Sequence, residues 1–214
     1  MRKLTRIHLD RFLARHASSE RTLDIGAGGD VYAKYFPNRV TLDINPANSP
    51  DVVGDAHTLP FPDASFSSIL CTELLEHVRH PDTVVGEMAR VLAPGGTLVL
   101  TTRFVYPLHG VPRDYWRFTR YGLEALFEDW DIVELAPETR EFETLAVLLQ
   151  RIGFQSTMRP NWLGKLATYG LAASISLGNL LIIERFGDIE RKKPLDHMMA
   201  SGYHLVAKKR PQTA

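Results

Sequence analysis

"LDIGAGGDVYAKYFP", residues 23–37, runs a strand-like apolar segment straight into Gly-Ala-Gly-Gly, ahead of a stretch that reads as a helix closed by Pro37. A glycine-rich strand-to-helix turn lets backbone N–H groups approach a ligand and sets it at a helix N-terminus. Gly26 and Gly28 supply that turn for a nicotinamide dinucleotide and for an adenosyl cofactor alike. A dinucleotide fingerprint asks for a third glycine three residues after the second, and Val31 stands there. Asp24 offers a pyrophosphate little, whereas a cationic amino-acid moiety gains from it. Asp43, at the end of the next strand-like run, can accept both ribose hydroxyls in either case.

Outward from this turn, the chain alternates strand-like and helix-like segments as far as residue 136. "RTLDIG" (21–26), "RVTLDI" (39–44), "DVVGDA" (51–56), "FSSILCT" (66–72), "TLVLTT" (97–102) and "DIVELA" (131–136) read as strands. Residues 30–37, 81–92 and 119–130 read as helices. Val84, Val85, Met88, Val91 and Leu92 line one side of the second, and Thr119 is the N-cap of the third. Such alternation predicts an α/β fold with a parallel sheet and helices on both faces. "GYHLVAKK" (202–209) is the last strand.

Residues 1–19 form an amphipathic helix, and 137–201 form a helical insertion that separates the last strand from the rest. Within the insertion, residues 166–183 carry no charge, at the lower edge of a membrane span. A true span would part the last strand from its sheet. The insertion therefore reads as a substrate flap, a dimer element or a membrane-surface helix.

The 214 residues suffice for one well-buried domain. Lys+Arg and Asp+Glu balance at 25 each, so no global field recruits nucleic acid, which is not expected as a partner. Cys71 is the single cysteine, which excludes an intramolecular disulfide framework and fits a reducing compartment. No secretory signal is read at the N-terminus. The expected place is the cytoplasm, with the inner membrane surface as a peripheral alternative, and the expected state a monomer or homodimer.

The stretch "VVGDAHTLPFPDASFSSILCTELLEHV" (52–78) decides the cofactor. With "LDIGAGG", "LDINP" and "VLAPGGTLVLTT", in order and at ordinary spacing, it resembles the class I S-adenosylmethionine-dependent methyltransferases with a small-molecule-type catalytic domain. The resemblance covers residues 20–136 and, through the final strand, 202–210. It implies a Rossmann-like fold whose seven-stranded, mostly parallel sheet ends on an antiparallel strand. It implies S-adenosyl-L-methionine as cofactor, held by Asp24, Gly26, Ala27, Gly28, Asp43, Ile44, Asp55, Ala56 and Cys71. Asp55 would take the adenine amino group, Ala56 would offer its N–H to the ring, and Leu59 or Phe61 would wall it. The family usually carries a further glycine where Asp30 stands.

Methyl transfer from a sulfonium is an in-line displacement, so the protein mainly aligns donor and acceptor and removes a proton where the acceptor has one. Two clusters suit that work. "HGVPRDYWRFT" (109–119) follows the fifth strand and brings His109 as base, Asp114 or Tyr115 as its orienter, and Arg113, Trp116 and Arg117 as acceptor contacts. Aromatics with Arg and Asp suit a sugar or polyol, and the block resembles a loop of uncharacterised bacterial methyltransferases thought to act on cell-surface glycans. The other cluster is "CTELLEHV" (71–78), where helical spacing would bring Glu73, Glu76 and His77 to one side, with Glu73 and His77 as further acceptor contacts. Carboxylates with imidazole suit a divalent metal, and resemblance to metal-dependent methyltransferases adds His109 to that set. The same Glu-His-Val run is widespread in methyltransferases that use no metal, and none is expected here.

The expected function is therefore S-adenosylmethionine-dependent O-methylation of a glycan or lipid-linked saccharide. A free small molecule, such as a quinone or phenolic precursor, is the alternative acceptor. A non-catalytic cofactor-binding scaffold is the alternative of another class.

Overall fold

The computed structural model of the chain describes residues 3–29, 32–157, 161–178, 186–187, 194–195 and 199–211. Their backbone forms α1 (Leu4–Arg15), β1 (Thr22–Ile25), β2 (Arg39–Asp43), β3 (Val52–Val53), β4 (Phe66–Thr72), α2 (Pro81–Val91), β5 (Leu92–Arg103) and α3 (Arg120–Leu126). These are followed by β6 (Trp130–Pro137), α4 (Glu141–Gln155), α5 (Asn161–Gly178), the short pair β7 (Phe186–Gly187) and β8 (Pro194–Leu195), and β9 (Gly202–Lys209).

Seven strands make one sheet in the order β3-β2-β1-β4-β5-β9-β6. Strands β1 to β5 pair in parallel, and the last strand is antiparallel, as expected. The order reverses between β1 and β4, and in open α/β sheets such a switch point opens a crevice at the carboxyl ends of the strands. Parallel strands are covered on both faces, which is why β4 is buried at every position but Ser67. Leu23, Ile25, Ile69, Leu70, Leu98 and Leu100 form the centre of that core.

Two compact units divide the chain. The sheet unit comprises Phe12–Arg103, Leu108–Ala136 and Tyr203–Ala214. Its own part of α1 is anchored by Phe12, stacked on His204 at 4.4 Å between ring centroids. The second unit comprises Met1–Arg11, Phe104–Pro107 and Pro137–Gly202. There α4 packs on α5 where Gly153 lacks a side chain, since a Cβ at that position would run into the Thr168 hydroxyl. Among the described residues, no helix is long and apolar enough to cross a membrane, and residues 179–183 of the uncharged stretch lie outside them.

Several local expectations change. Of the helix expected at 30–37, Asp30 and Val31 lie outside the described residues, and 32–36 make a single turn in which Phe36 N–H donates to Tyr32 C=O at 3.1 Å. Pro37 has no N–H to prolong it. The expected third strand shrinks to Val52–Val53, and the helix expected at 119–130 stops at Leu126. Its Thr119 cap does form, Oγ1 accepting from Gly122 N–H at 3.0 Å. Pro94-Gly95-Gly96 forms a bulge within β5 rather than a turn before it, with Gly95 at φ +73°.

Candidate functional site

The site lies at the switch point, within the sheet unit. A cavity of about 500 Å³ is lined by Gly26 beyond β1, Asp43 and Ile44 beyond β2, Asp55, Ala56 and His57 beyond β3, and Glu73, Leu74 and His77 beyond β4. Arg79, Arg113 and Tyr115 line it as well. Gly26 sits at φ +72°, and a Cβ there would meet Leu74 Cδ1 at 2.9 Å, so glycine is what lets the turn approach the cavity floor.

Asp43 organises the glycine turn. Its Oδ2 accepts from Gly28 N–H at 3.0 Å and from Asn48 Nδ2 at 2.9 Å, and its Oδ1 accepts from Asn45 N–H at 2.8 Å. At the next strand end, Asp55 Oδ1 accepts from His57 N–H at 2.9 Å and lies 2.6 Å from His57 Nδ1. The His57 backbone N–H, chiefly, holds the Asp55 carboxyl below its ordinary value. The cavity thus carries an anchored carboxylate at each of two neighbouring strand ends.

Not every expected contact reaches it. Asp24 is fully buried and its carboxylate lies 3.2 Å from Arg39 Nε on the neighbouring strand, so it is not among the lining residues. Ala27 faces a separate cavity of about 370 Å³ with Gly29, Arg39, Thr41 and Asn48. Gly28 acts through its bond to Asp43. Cys71 lies wholly inside the sheet, where burial raises its thiol pKa well above the ordinary value. Neither Leu59, buried at 3% exposure, nor Phe61, edge-on to Phe66, lines the cavity. His57, Leu74, Val78 and Arg79 do, and the sequence reading had not placed them there. Their signal was adjacency alone, to the Gly-Asp-Ala and Glu-His runs.

The "CTELLEHV" segment departs most from expectation. Glu73 adopts φ +56°, so 73–77 is not one helical turn, and only Leu75–His77 winds, as a 3-10 turn. Glu73 pairs instead with Arg103 and accepts from Thr101 Oγ1 at 3.0 Å. Glu76 turns inward and is fully buried, its Oε2 accepting from Thr102 Oγ1 at 2.8 Å. Burial, reinforced by the Glu73 charge, pushes its carboxyl up to about 8. His77 Nδ1 bonds the Arg113 carbonyl.

The loop after β5 is largely committed to its own packing. Asp114 is clamped by Arg117 Nη1 at 2.7 Å and Nη2 at 2.8 Å, and accepts from His109 N–H at 2.8 Å. The Arg117 bonds, first of all, hold the Asp114 carboxyl well below the carboxylate range. Trp116 Nε1 donates to Val78 C=O at 2.9 Å, and the Arg79 guanidinium lies 5.4 Å from the Tyr115 ring centroid. His109 is not a cavity-lining residue. Its Nε2 lies 3.9 Å from Glu76 Oε1 and its Nδ1 lies 3.5 Å from Asp114 Oδ2. Burial, and then the neighbouring His77, lower its pKa. The expected base thus has a carboxylate near each ring nitrogen and does not itself line the cavity.

Residues 23–100 match the family model described as a methyltransferase domain. The demethylmenaquinone methyltransferase of Renibacterium salmoninarum is 34% identical over 121 residues, 50% of this chain and 50% of that protein. The chain thus spans about half the length of the curated relatives it matches. Among solved structures, the [4+2]-cyclase SpnF superposes with a TM-score of 0.61 at 17% identity, covering 97% of this chain and 80% of that one. A methyltransferase-type protein from Bacillus halodurans does so with a TM-score of 0.59 at 17% identity, covering 94% and 98%. Residues 23–100 are thus similar to a methyltransferase domain, and the sheet has the Rossmann-like methyltransferase fold.

Proposed function

We propose that the protein is an S-adenosylmethionine-dependent methyltransferase whose acceptor is a free small molecule of the quinone or phenol type. The observation that carries the reading is the cavity itself. Its lining joins the glycine turn, the carboxylates of Asp43 and Asp55, and His77, Arg113 and Tyr115. The anchored carboxylates suit the ribose and adenine of the cofactor, and Gly26 leaves room for its methionine part. The sulfonium supplies an activated methyl group when bound. The chain's own contribution is to hold donor and acceptor in line and keep water from the gap. Arg113 and Tyr115 line the same cavity and are the contacts this reading assigns to a flat acceptor. The match to the methyltransferase domain and the names of the curated relatives support the same reading.

A saccharide acceptor is the second reading. It is favoured by the residual exposure of Tyr115 (39%) and Trp116 (43%), whose faces suit a sugar ring. It is weakened by the internal commitment of Trp116, Asp114 and Arg117 to the loop's own bonds.

The test is methyl transfer from labelled S-adenosylmethionine to a panel of reduced quinones, phenols and saccharides, with Asp43→Asn as the inactive control. Label on the aromatic acceptors supports the first reading, and label on saccharides alone replaces it with the second. Binding of the cofactor with no label on any class, or on any component of a source-cell extract, would point to a scaffold instead.

A further inference from the structure

We propose that Glu76, His77 and His109 form a site for one divalent transition-metal ion of the zinc class at the wall of the cavity. A ligand atom from each residue converges so that the three lie within 4.8 Å of one another. This set excludes Glu73, the residue that helical spacing would have added first. Its left-handed backbone and its pairing with Arg103 and Thr101 take it away.

Three observations point to a cation at this spot. First, Glu76 is wholly buried, and while Oε2 is satisfied by Thr102, Oε1 has no hydrogen bond and faces His109 Nε2 at 3.9 Å. A buried carboxylate oxygen left without a donor is costly, and a proton or a metal ion relieves it. Second, both imidazoles are arranged as ligands usually are. His77 Nδ1 meets the Arg113 carbonyl, which can only accept, so Nδ1 carries the hydrogen and Nε2 keeps its lone pair. His109 Nδ1 stands 3.5 Å from Asp114, itself fixed by Arg117, while its Nε2 faces Glu76. A carbonyl bonded behind a ligating histidine, as behind His77, fixes its tautomer and raises its basicity, and the Asp114 carboxylate stands near His109 for the same purpose. Third, the rings are brought together by the backbone. They lie 4.7 Å apart between centroids, edge to face, and Gly110, at φ +67°, leaves the space that His77 fills.

Two imidazoles and one carboxylate select zinc-like ions over magnesium or calcium, which prefer oxygen ligands. Ligands of a tetrahedral zinc at about 2.0–2.1 Å stand roughly 3.3 Å apart, so the three residues would draw in by about 1 Å on loading. Three protein ligands leave a fourth position. His77 lines the cavity, and that position would take an oxygen of water or of a hydroxylated molecule there.

The inference does not depend on the acceptor, and its test needs no turnover. Protein stripped with a chelator is titrated with Co²⁺ alone, reading the visible d–d absorption, and with Zn²⁺ alone by calorimetry. One ion per chain is expected. Glu76→Gln, His77→Gln and His109→Gln should each weaken binding at least tenfold, on the scale by which even supporting residues alter metal affinity. His80→Ala should leave it unchanged. Circular dichroism identifies any variant that fails to fold, and the remaining variants still decide the matter. Absence of a stoichiometric Co²⁺ spectrum, or binding that survives Glu76→Gln and His109→Gln but falls in His80→Ala, overturns the site. Either result leaves the methyl-transfer reading intact, since that reading is tested by label transfer.

Discussion

Asp43→Asn separates the proposed cofactor orientation from a merely structural role for this carboxylate. The carboxylate accepts from two backbone N–H groups, of Gly28 and Asn45, and from the Asn48 amide. An amide of the same shape keeps one oxygen, which can stay with Asn45. Its NH₂ then faces the Gly28 N–H and the Asn48 amide, donor against donor, and the glycine turn loses its tether. The ribose would lose a charge-assisted bond as well. A hydrogen bond to a charged group is worth about 1.5–3 kcal/mol, and 1.4 kcal/mol is tenfold in affinity. Binding of S-adenosylhomocysteine, measured by titration calorimetry, should therefore weaken by roughly 10–100-fold. Urea unfolding of the same sample reports the cost of the lost tether separately. Affinity within about threefold of wild type, whatever the stability, would refute the placement of the ribose on Asp43 and with it the order of groups along the cavity.

Asp24→Asn should behave in the opposite way. Its carboxylate is buried against Arg39, so stability should fall by about 3–5 kcal/mol in urea unfolding. S-adenosylhomocysteine affinity of the folded fraction should stay within about threefold. Glu87 accepts from Leu59 N–H at 2.7 Å and from Arg90, which in turn holds the Leu59 and Phe61 carbonyls and Asp63. Arg90, chiefly, holds the Glu87 carboxyl below its ordinary 4.5, so the stabilisation is complete above that pH and lost as pH falls through the depressed folded value. Glu87→Gln should consequently be destabilising in urea at pH 7 and 5, and the gap to wild type should close in more acid solution. A gap that widened with acid would reverse the assignment. Gly110→Ala imposes a left-handed backbone on alanine and pushes a Cβ to 2.9 Å from His77 Cε1. A loss of about 1–2 kcal/mol in unfolding free energy is expected, with slower methyl transfer to the acceptor found active.

The strands were legible because their signals are local. "FSSILCT" is a buried run of strand length, and β4 occupies residues 66–72 as expected. Helix α2 was legible for the same reason, since Val84, Val85, Met88 and Val91 are all buried on the face their spacing predicts. The glycine turn, Asp43 and Asp55 were legible because their positions at strand ends fix where they point. Asp24 was not. It sits inside a strand, where a partner on the next strand, Arg39, decides its role, and no local pattern carries that pairing. Glu73 was misread because helical spacing presumes helical backbone, and its φ of +56° breaks that premise at the first residue.

The two halves of the cavity differ in how they are built. The proposed cofactor half is a backbone structure, made by glycines at positive φ and by carboxylates that accept from the N–H groups of Gly28, Asn45 and His57, so its motifs survive as short strings. The acceptor half depends on side chains meeting partners far along the chain: His77 with the Arg113 carbonyl, Glu76 with Thr102, Trp116 with the Val78 carbonyl. Spacing within "CTELLEHV" or "HGVPRDYWRFT" cannot encode those meetings, because each segment completes the other. Each fixes the other's geometry as well: the Tyr115 and Trp116 N–H groups both donate to Glu76 C=O, at 2.8 and 3.2 Å. On the proposed reading acceptor choice is a joint property of two loops, and substitutions in either should alter it together while cofactor binding stays as it is.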